Sequence, residues 1–315
     1  MVDAQVTGIF PRSSRLVKAT RDYDRNVIGW NTLLPIIRDD SCESIEIQRS
    51  SGFKYINDGM YLWQDIFRPF TEGVKGITAG ALTRWFDNNT FYRKPVIENL
   101  EPENHDAFLH RHIFLDLLEN YEKKVILPGL YTFASLSSQG YSRDLIFDLA
   151  GIMAVELRDL ERRGVEVFQF NEPSLVYRNP KLPEMDEIMG AYEIVRRSTG
   201  STIILHTYFG DASPIIEDLL DMPVDYIGID FYATEFMEIK DVSFHKGLLC
   251  GCVDSRNSYI EEPEKIVEWV NRIEESMAPR DIILAPNCDL EFLTKDIAKK
   301  KVEILGKVKS LLGGD

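Results

Sequence analysis

The chain has 315 residues, 44% of them hydrophobic, with 51 acidic against 36 basic side chains and a net charge of -15. That length and apolar content allow a large buried core, in one α/β barrel or in two smaller domains. The acidic balance argues against nucleic-acid binding, which draws its non-specific affinity from Lys and Arg on phosphates, but leaves room for a local basic pocket for a small anion. No apolar run approaches 20 residues and no basic-then-apolar leader opens the chain, so neither a membrane span nor export is expected. Four cysteines without dense spacing fit a reducing cytoplasm.

Apolar, β-rich runs recur at 6–10, 53–56, 124–127, 165–170, 202–205, 226–229, 247–252 and 282–284. Helical patterns lie between most of them, at 143–163, 186–197, 262–275 and 295–312. Strands alternating with helices imply a parallel sheet, and eight such units suit a closed (β/α)8 TIM barrel. A doubly wound open sheet is the structural alternative, but no Gly-x-Gly-x-x-Gly follows a strand. No linker of Pro, Gly and Ser divides the chain, so a single barrel domain over 1–315 is expected. An excursion at about 71–103 breaks the alternation. It concentrates Arg84, Trp85, Asp87, Asn88, Asn89, Tyr92, Arg93 and Lys94, which read either as a solvated helix with a buried Trp or as a stacking and carboxylate-pairing surface.

In a barrel the chemistry sits at the C-terminal strand ends. Those ends present Pro11 and Arg12, Asn57 and Asp58, Tyr131, Asn171 and Glu172, His206 and Tyr208, Asp230 and Tyr232, Asp254 and Arg256, Asn287 and Cys288. Glu172, His206 and Cys288 are the catalytic candidates. Glu172 follows a continuous apolar strand and precedes Pro173, so it is presented at the rim. It reads equally as a helix cap or as a partner for Arg12. Cys288 ends an apolar run, where free Cys commonly packs. His206 fits a buried, locally hydrogen-bonded imidazole as well as an acid or base. Cys250 and Cys252 read as barrel packing, and His105, His110 and His112 as helix-surface residues.

Particular stretches resemble cobalamin-independent methionine synthases, and most closely the zinc-free N-terminal barrel of those two-barrel enzymes. They are Gly8-Ile9-Phe10-Pro11-Arg12 with Arg15 to Lys18, Leu82-Thr83-Arg84-Trp85-Phe86-Asp87-Asn88-Asn89-Thr90-Phe91-Tyr92, Thr207-Tyr208-Phe209, and Gly251-Cys252-Val253-Asp254-Ser255-Arg256-Asn257. The resemblance implies a barrel of the methionine synthase/uroporphyrinogen decarboxylase-like type. It also implies a role for Arg15, Lys18 and Arg84 at the glutamate tail of folate. Trp85, Asn171, Glu172, Tyr208, Asp254 and Arg256 complete the ligand-binding set implied here.

Where the family's catalytic barrel carries its zinc ligands, this chain has Tyr208, Gly210, Asp230 and Cys288. Two of the four are not usual zinc ligands, so no metal is expected and zinc is doubtful. A rearranged set of His206, Asp230 and Cys288 is the alternative. It places His206 two residues earlier on its strand, about 6 to 7 Å deeper in the barrel. Asn171 stands where an Asp would pair with the amine of homocysteine, and Arg256 where a His would exchange protons.

Three readings follow. The first is the folate- or methyl-pterin-binding half of a split homocysteine S-methyltransferase in methionine biosynthesis, working with a separately encoded zinc-bearing barrel and holding no tight cofactor. The second is a self-sufficient methyltransferase with a rearranged metal site or a corrinoid methyl donor. The third is a diverged small-molecule-binding barrel without catalysis.

Overall fold

Eight short strands pair in parallel and follow one another around a curled sheet. The structure, a computed structural model, describes residues 2–313. The barrel strands are β1 (Val2–Ala4), β2 (Tyr55–Ile56), β5 (Glu122–Pro128), β6 (Val165–Asn171), β7 (Thr202–His206), β8 (Tyr226–Asp230), β9 (Gly247–Val253) and β10 (Ile282–Pro286), while β3 (Ile77–Arg84) and β4 (Phe91–Ile97) form a separate antiparallel pair. The order β1-β10-β9-β8-β7-β6-β5-β2 is chain order read around the barrel. Between strands lie α1 (Ser14–Asp24), α2 (Trp30–Ser50), α3 (Arg68–Gly73), α4 (Leu130–Leu136), α5 (Arg143–Arg162), α6 (Pro173–Arg178), α7 (Glu184–Ser198), α8 (Ile216–Asp221), α9 (Phe236–Ile239), α10 (Pro263–Met277) and α11 (Lys295–Leu311). Ser13 and Ser142 begin α1 and α5 by accepting the third backbone N–H onward, from Leu16 and Leu145. No described helix is long and apolar enough to cross a membrane.

The four helical patterns fall on α5, α7, α10 and α11 within about two residues. The first strand does not fall where the apolar run at 6–10 puts it. The ladder to β10 covers Val2–Ala4, and the run beyond bonds largely through side chains. Thr7 donates its hydroxyl to the carbonyl of Cys288 at 2.9 Å, and Asp289 accepts the Ile9 N–H at 3.0 Å. Gly8 permits this, because a Cβ there would overlap the Asp289 carboxylate.

Among the described residues no ladder joins β1 to the two-residue β2. The seam is held by the Phe10 N–H on the Gly59 carbonyl, 3.2 Å, and by Lys124 of β5, whose Nζ donates to the Val6 carbonyl at 2.8 Å. Inside the barrel, Val167, Ile204, Leu249, Ile283 and Ala285 pack as an apolar cluster with Tyr55 and Tyr226 against it. Two residues further along their strands, Val167 and Ile204 give way to Gln169 and His206, both fully buried.

The excursion is a hairpin rather than a helix. Its ladder slips between Ala79 and Leu82, and Pro95, which has no N–H to donate, sits beside that bulge. Asp65 and Gln139 take the N–H groups of Arg93 and Ile97, tying β4 to the body. His105 and His110 are likewise not free surface groups. His105 Nε2 lies 2.6 Å from buried Glu156, which also accepts the Phe108 and Leu109 N–H groups, and His110 pairs with Asp159 at 2.9 Å.

Lys124 is 1% exposed, and burial lowers its pKa from 10.5 to about 7. Between those two pH values the unfolded chain binds the extra proton, so stability rises as pH rises from 7 toward 10.5. Lys124→Met removes the buried amine's titration but leaves the Val6 carbonyl without its donor, so relative to wild type the variant should lose about 1 to 4 kcal/mol of stability as pH is raised from 7 toward 10.5. Urea unfolding of both proteins across this range checks the sign.

Candidate functional site

The C-terminal strand ends carry a network of polar side chains that largely satisfy one another. Asn287, after β10, donates its Nδ2 to Asp230 Oδ1 at 3.1 Å and to Asp254 Oδ1 at 3.3 Å, and accepts the Ser255 N–H at 2.9 Å. Asp230 also accepts the Phe209 and Tyr232 N–H groups, at 3.2 and 3.0 Å. Burial still raises its pKa above the ordinary carboxylate value. Tyr208 is fully buried and donates its hydroxyl to Asp289 at 3.3 Å; burial, then the Asp289 charge, push its phenol well up.

Glu172 is fully buried, and both of its oxygens are engaged. Oε1 accepts from the Tyr131 N–H (2.8 Å) and the Tyr192 hydroxyl (2.7 Å), and Oε2 from the N–H (2.8 Å) and hydroxyl (2.7 Å) of Thr132. The carboxylate therefore caps the start of α4, and Gly129 leaves it the room. Arg12 is not its partner; that guanidinium donates to the Trp63 carbonyl at 2.5 Å.

His206 is fully buried, and its pKa falls to about 3 through burial and the nearby Lys124 charge, so the ring is neutral. Its Nδ1 lies 3.4 Å from Gln169 Nε2. That amide donates more closely to Thr7 O and Asn171 Oδ1, at 2.7 and 2.6 Å, and Asn171 itself donates to Thr7 O at 3.1 Å. Cys288 is fully buried, with its thiol 3.5 Å from Asn287 Oδ1, and burial raises its pKa well above the ordinary thiol value. Among the described residues no three His, Cys, Asp or Glu side chains stand together as a metal-ligand set, and the groups at these strand ends do not fit zinc.

The three cations are spread over two elements. Arg15 and Lys18 share the exposed side of α1, with Arg15 2.9 Å from Asp39. Arg84 ends β3, exposed, with its guanidinium 5.6 Å from the Phe91 ring centre. Trp85 is buried against Phe67, Phe86 and Tyr92. A narrow recess of ≈ 20 Å³ opens beside it, where Asp65, Asp289 and Glu291 converge under Ile9, Phe91 and Tyr92. Burial raises the pKa of all three acids, and the Asp289 charge raises Glu291 further.

The sequence reading passed over Asp65, Asp289 and Glu291. Asp289 directly follows Cys288 and was within reach of the strand-end rule. Asp65 and Glu291 carry no such signal. Also unforeseen, Phe86 and Phe209 adopt positive φ, 46° and 71°, a strained region for bulky residues that costs about 1 to 3 kcal/mol each.

Of the four cysteines only Cys42 is exposed; Cys250, Cys252 and Cys288 are buried. Ellman's reagent should titrate one thiol quickly in the folded protein and all four after unfolding. A fast second thiol, lost in Cys288→Ser, would contradict the buried, protonated Cys288.

Comparisons with known proteins agree with this architecture. The family described as "Cobalamin-independent synthase, N-terminal domain" matches residues 53–278. The methionine synthase of Saccharolobus islandicus strain L.S.2.15 is 24% identical over 313 residues, covering 96% of this chain and 92% of that protein. Its counterpart in Saccharolobus solfataricus is 26% identical over 316 residues, with the same coverage. The 5-methyltetrahydropteroyltriglutamate--homocysteine methyltransferase of Bacillus cytotoxicus is 28% identical over 251 residues, which span 75% of this chain but 32% of that enzyme. Among solved structures, a B12-independent methionine synthase from Shewanella sp. W3-18-1 in complex with selenomethionine superposes with a TM-score of 0.77 at 16% identity, covering 99% of this chain and 98% of that one. A putative vitamin-B12 independent methionine synthase from Listeria monocytogenes gives 0.77 at 15%, with both chains covered in full. These two likenesses speak for the fold. With the family matched across most of the barrel, the chain belongs to the cobalamin-independent methionine synthase family, through its N-terminal-domain branch.

Proposed function

We propose that this barrel is the folate- or methyl-pterin-binding half of a two-protein homocysteine S-methyltransferase, and that a separately encoded barrel supplies the thiol-activating zinc. One observation carries the reading. At the ends of β7, β8 and β10 most polar groups are spent on one another, Tyr208 on Asp289 and Asn287 on Asp230 and Asp254, while among the described residues His206 Nε2 has no partner. Methyl transfer to homocysteine needs a thiolate at neutral pH, which a coordinated metal supplies. Nothing at these strand ends takes that part, since the one thiol there is held protonated and His206 is buried and neutral.

What this chain contributes is holding and orienting. Arg15, Lys18 and Arg84 are exposed cations on a chain of net charge -15 and can meet an acidic tail without being dehydrated, Arg15 by leaving Asp39. Each exposed contact contributes about 1 kcal/mol or less, so the tail is held by their sum. The second reading, a single-chain methyltransferase, draws support from the Saccharolobus methionine synthases, which align along 92% of their own length.

An assay for methionine from homocysteine and methyl-folate separates the two. Mixed with a zinc-bearing barrel, this chain should raise methionine formation well above either protein alone. Equal rates without it, or methionine from this chain alone, contradict the split-enzyme reading. By calorimetry at low salt, Arg15→Ala/Arg84→Ala should weaken methyl-folate binding by about 1 to 2 kcal/mol. Unchanged affinity removes the tail assignment.

A further inference from the structure

A cavity of ≈ 310 Å³ lies between the barrel wall and α10. Cys252 of β9 lines it together with Ile266 and Trp269 of α10, and Phe231, Tyr232 and Tyr259 enter from the segments after β8 and β9. Small-molecule sites begin at about 300 Å³, so the space suits a ligand of modest size rather than a large cofactor.

Its aromatic walls are set before any ligand arrives. The Tyr232 hydroxyl donates to the Cys252 carbonyl at 3.3 Å, and Trp269 is gripped edge to face by Phe231 and Phe236, with ring centres 5.9 and 4.8 Å away. This cluster already seats one cation from outside the cavity: the Arg272 guanidinium lies 5.1 Å from the Phe236 ring centre and 5.8 Å from that of Trp269. Tyr232 and Tyr259 are 53% and 63% exposed, so the cavity is entered from solvent.

The field inside favours positive charge. Glu261 belongs to the wall, whereas its cation, fully buried Lys301, does not; Lys301 Nζ reaches both carboxylate oxygens, at 2.8 and 3.0 Å. The Tyr232 phenol feels the result, since burial and then the Glu261 charge, with Asp254 and Asp230 behind it, push its pKa up. Yet the acceptors here are engaged. Glu261 also takes the Asp254 N–H at 2.9 Å, and Glu262 pairs with Lys265 at 2.8 Å on the exposed rim. A cation carrying N–H groups would give up hydrogen bonds to water and find few in return. A cation whose nitrogen carries only carbon gives up none, and ring faces attract it.

We propose that this cavity is a binding site for a small quaternary ammonium compound, with its methyl groups against Phe231, Tyr232 and Trp269 and its polar end toward the Glu262–Lys265 pair. The site stands independently of the folate reading, because no residue of its wall belongs to the set that meets the folate tail.

Choline and its uncharged carbon isostere, 3,3-dimethylbutan-1-ol, are titrated against wild type, Tyr232→Leu and Tyr232→Phe, and the methyl resonance of each ligand is followed by NMR. Wild type should bind choline about tenfold more tightly than the alcohol. Tyr232→Leu, at a position 53% exposed, should unfold within a few degrees of wild type and cut that preference to about twofold. Tyr232→Phe keeps the ring and should keep the preference. Equal affinity for the two ligands, or no binding of choline, overturns the proposal. So does an undiminished preference in Tyr232→Leu, which would seat the cation away from this wall.

Discussion

Closure of the barrel at one seam is the constraint on which the rest of this structure depends. A closed sheet must supply every strand with a neighbour on both sides, and here the first strand is three residues long and the second two. Too little ladder remains to join them, so the Phe10–Gly59 backbone bond and the Lys124 side chain do it. Thr7 and Asp289 hold the same segment to the end of β10 on its other side, and all three polar residues are buried. A buried carbonyl or N–H without a partner costs about 1 to 3 kcal/mol, which makes these polar residues as structural as the apolar cluster beneath them.

The seam also shapes the mouth. Asp289 anchors Ile9 beside the seam and holds the Tyr208 hydroxyl, so one carboxylate serves the fold and orders the site. Glu172 is committed in the same way to the first turn of α4. Glu172 and Asp289, which could pass for reactive acids, are thus consumed by architecture. Unspent capacity remains at the rim cations and, within the barrel, at His206 Nε2 and Gln169 Oε1, which among the described residues are buried without a hydrogen-bond partner.

The sheet was legible because its signal is additive: buried parallel strands read as continuous apolar runs, and seven of the eight lie where those runs place them. The run at 6–10 misled because its residues are as buried as a strand's while their backbone bonds to side chains. Periodicity reports burial and says nothing about the partner. The hairpin was illegible for the opposite reason, since β3 is exposed along most of its length and shows no alternation to read. Glu172 was legible as a rim acid or as a cap for the helix that follows it, but not as the cap of α4, because its partners Tyr131, Thr132 and Tyr192 lie 20 to 41 residues away. The pairing of Phe86 with Phe209, ring centres 5.6 Å apart, depends on two backbone conformations that no residue type announces.

The hairpin has one further consequence, for solubility. β4 is docked to the body through Asp65 and Gln139, and Ser138 donates its N–H to the Pro95 carbonyl, but β3 has a ladder partner on one side only. An open edge carrying Leu82, 60% exposed, is a template on which strands from other molecules can add. The ribbon protects itself by the bulge at Gly80 and Ala81 and by the positive charges of Lys75, Arg84, Arg93 and Lys94, which set one ribbon against another copy of itself. The exposed cations of the hairpin thus act as gatekeepers against edge-to-edge aggregation, and neutralising them exposes the strand they guard.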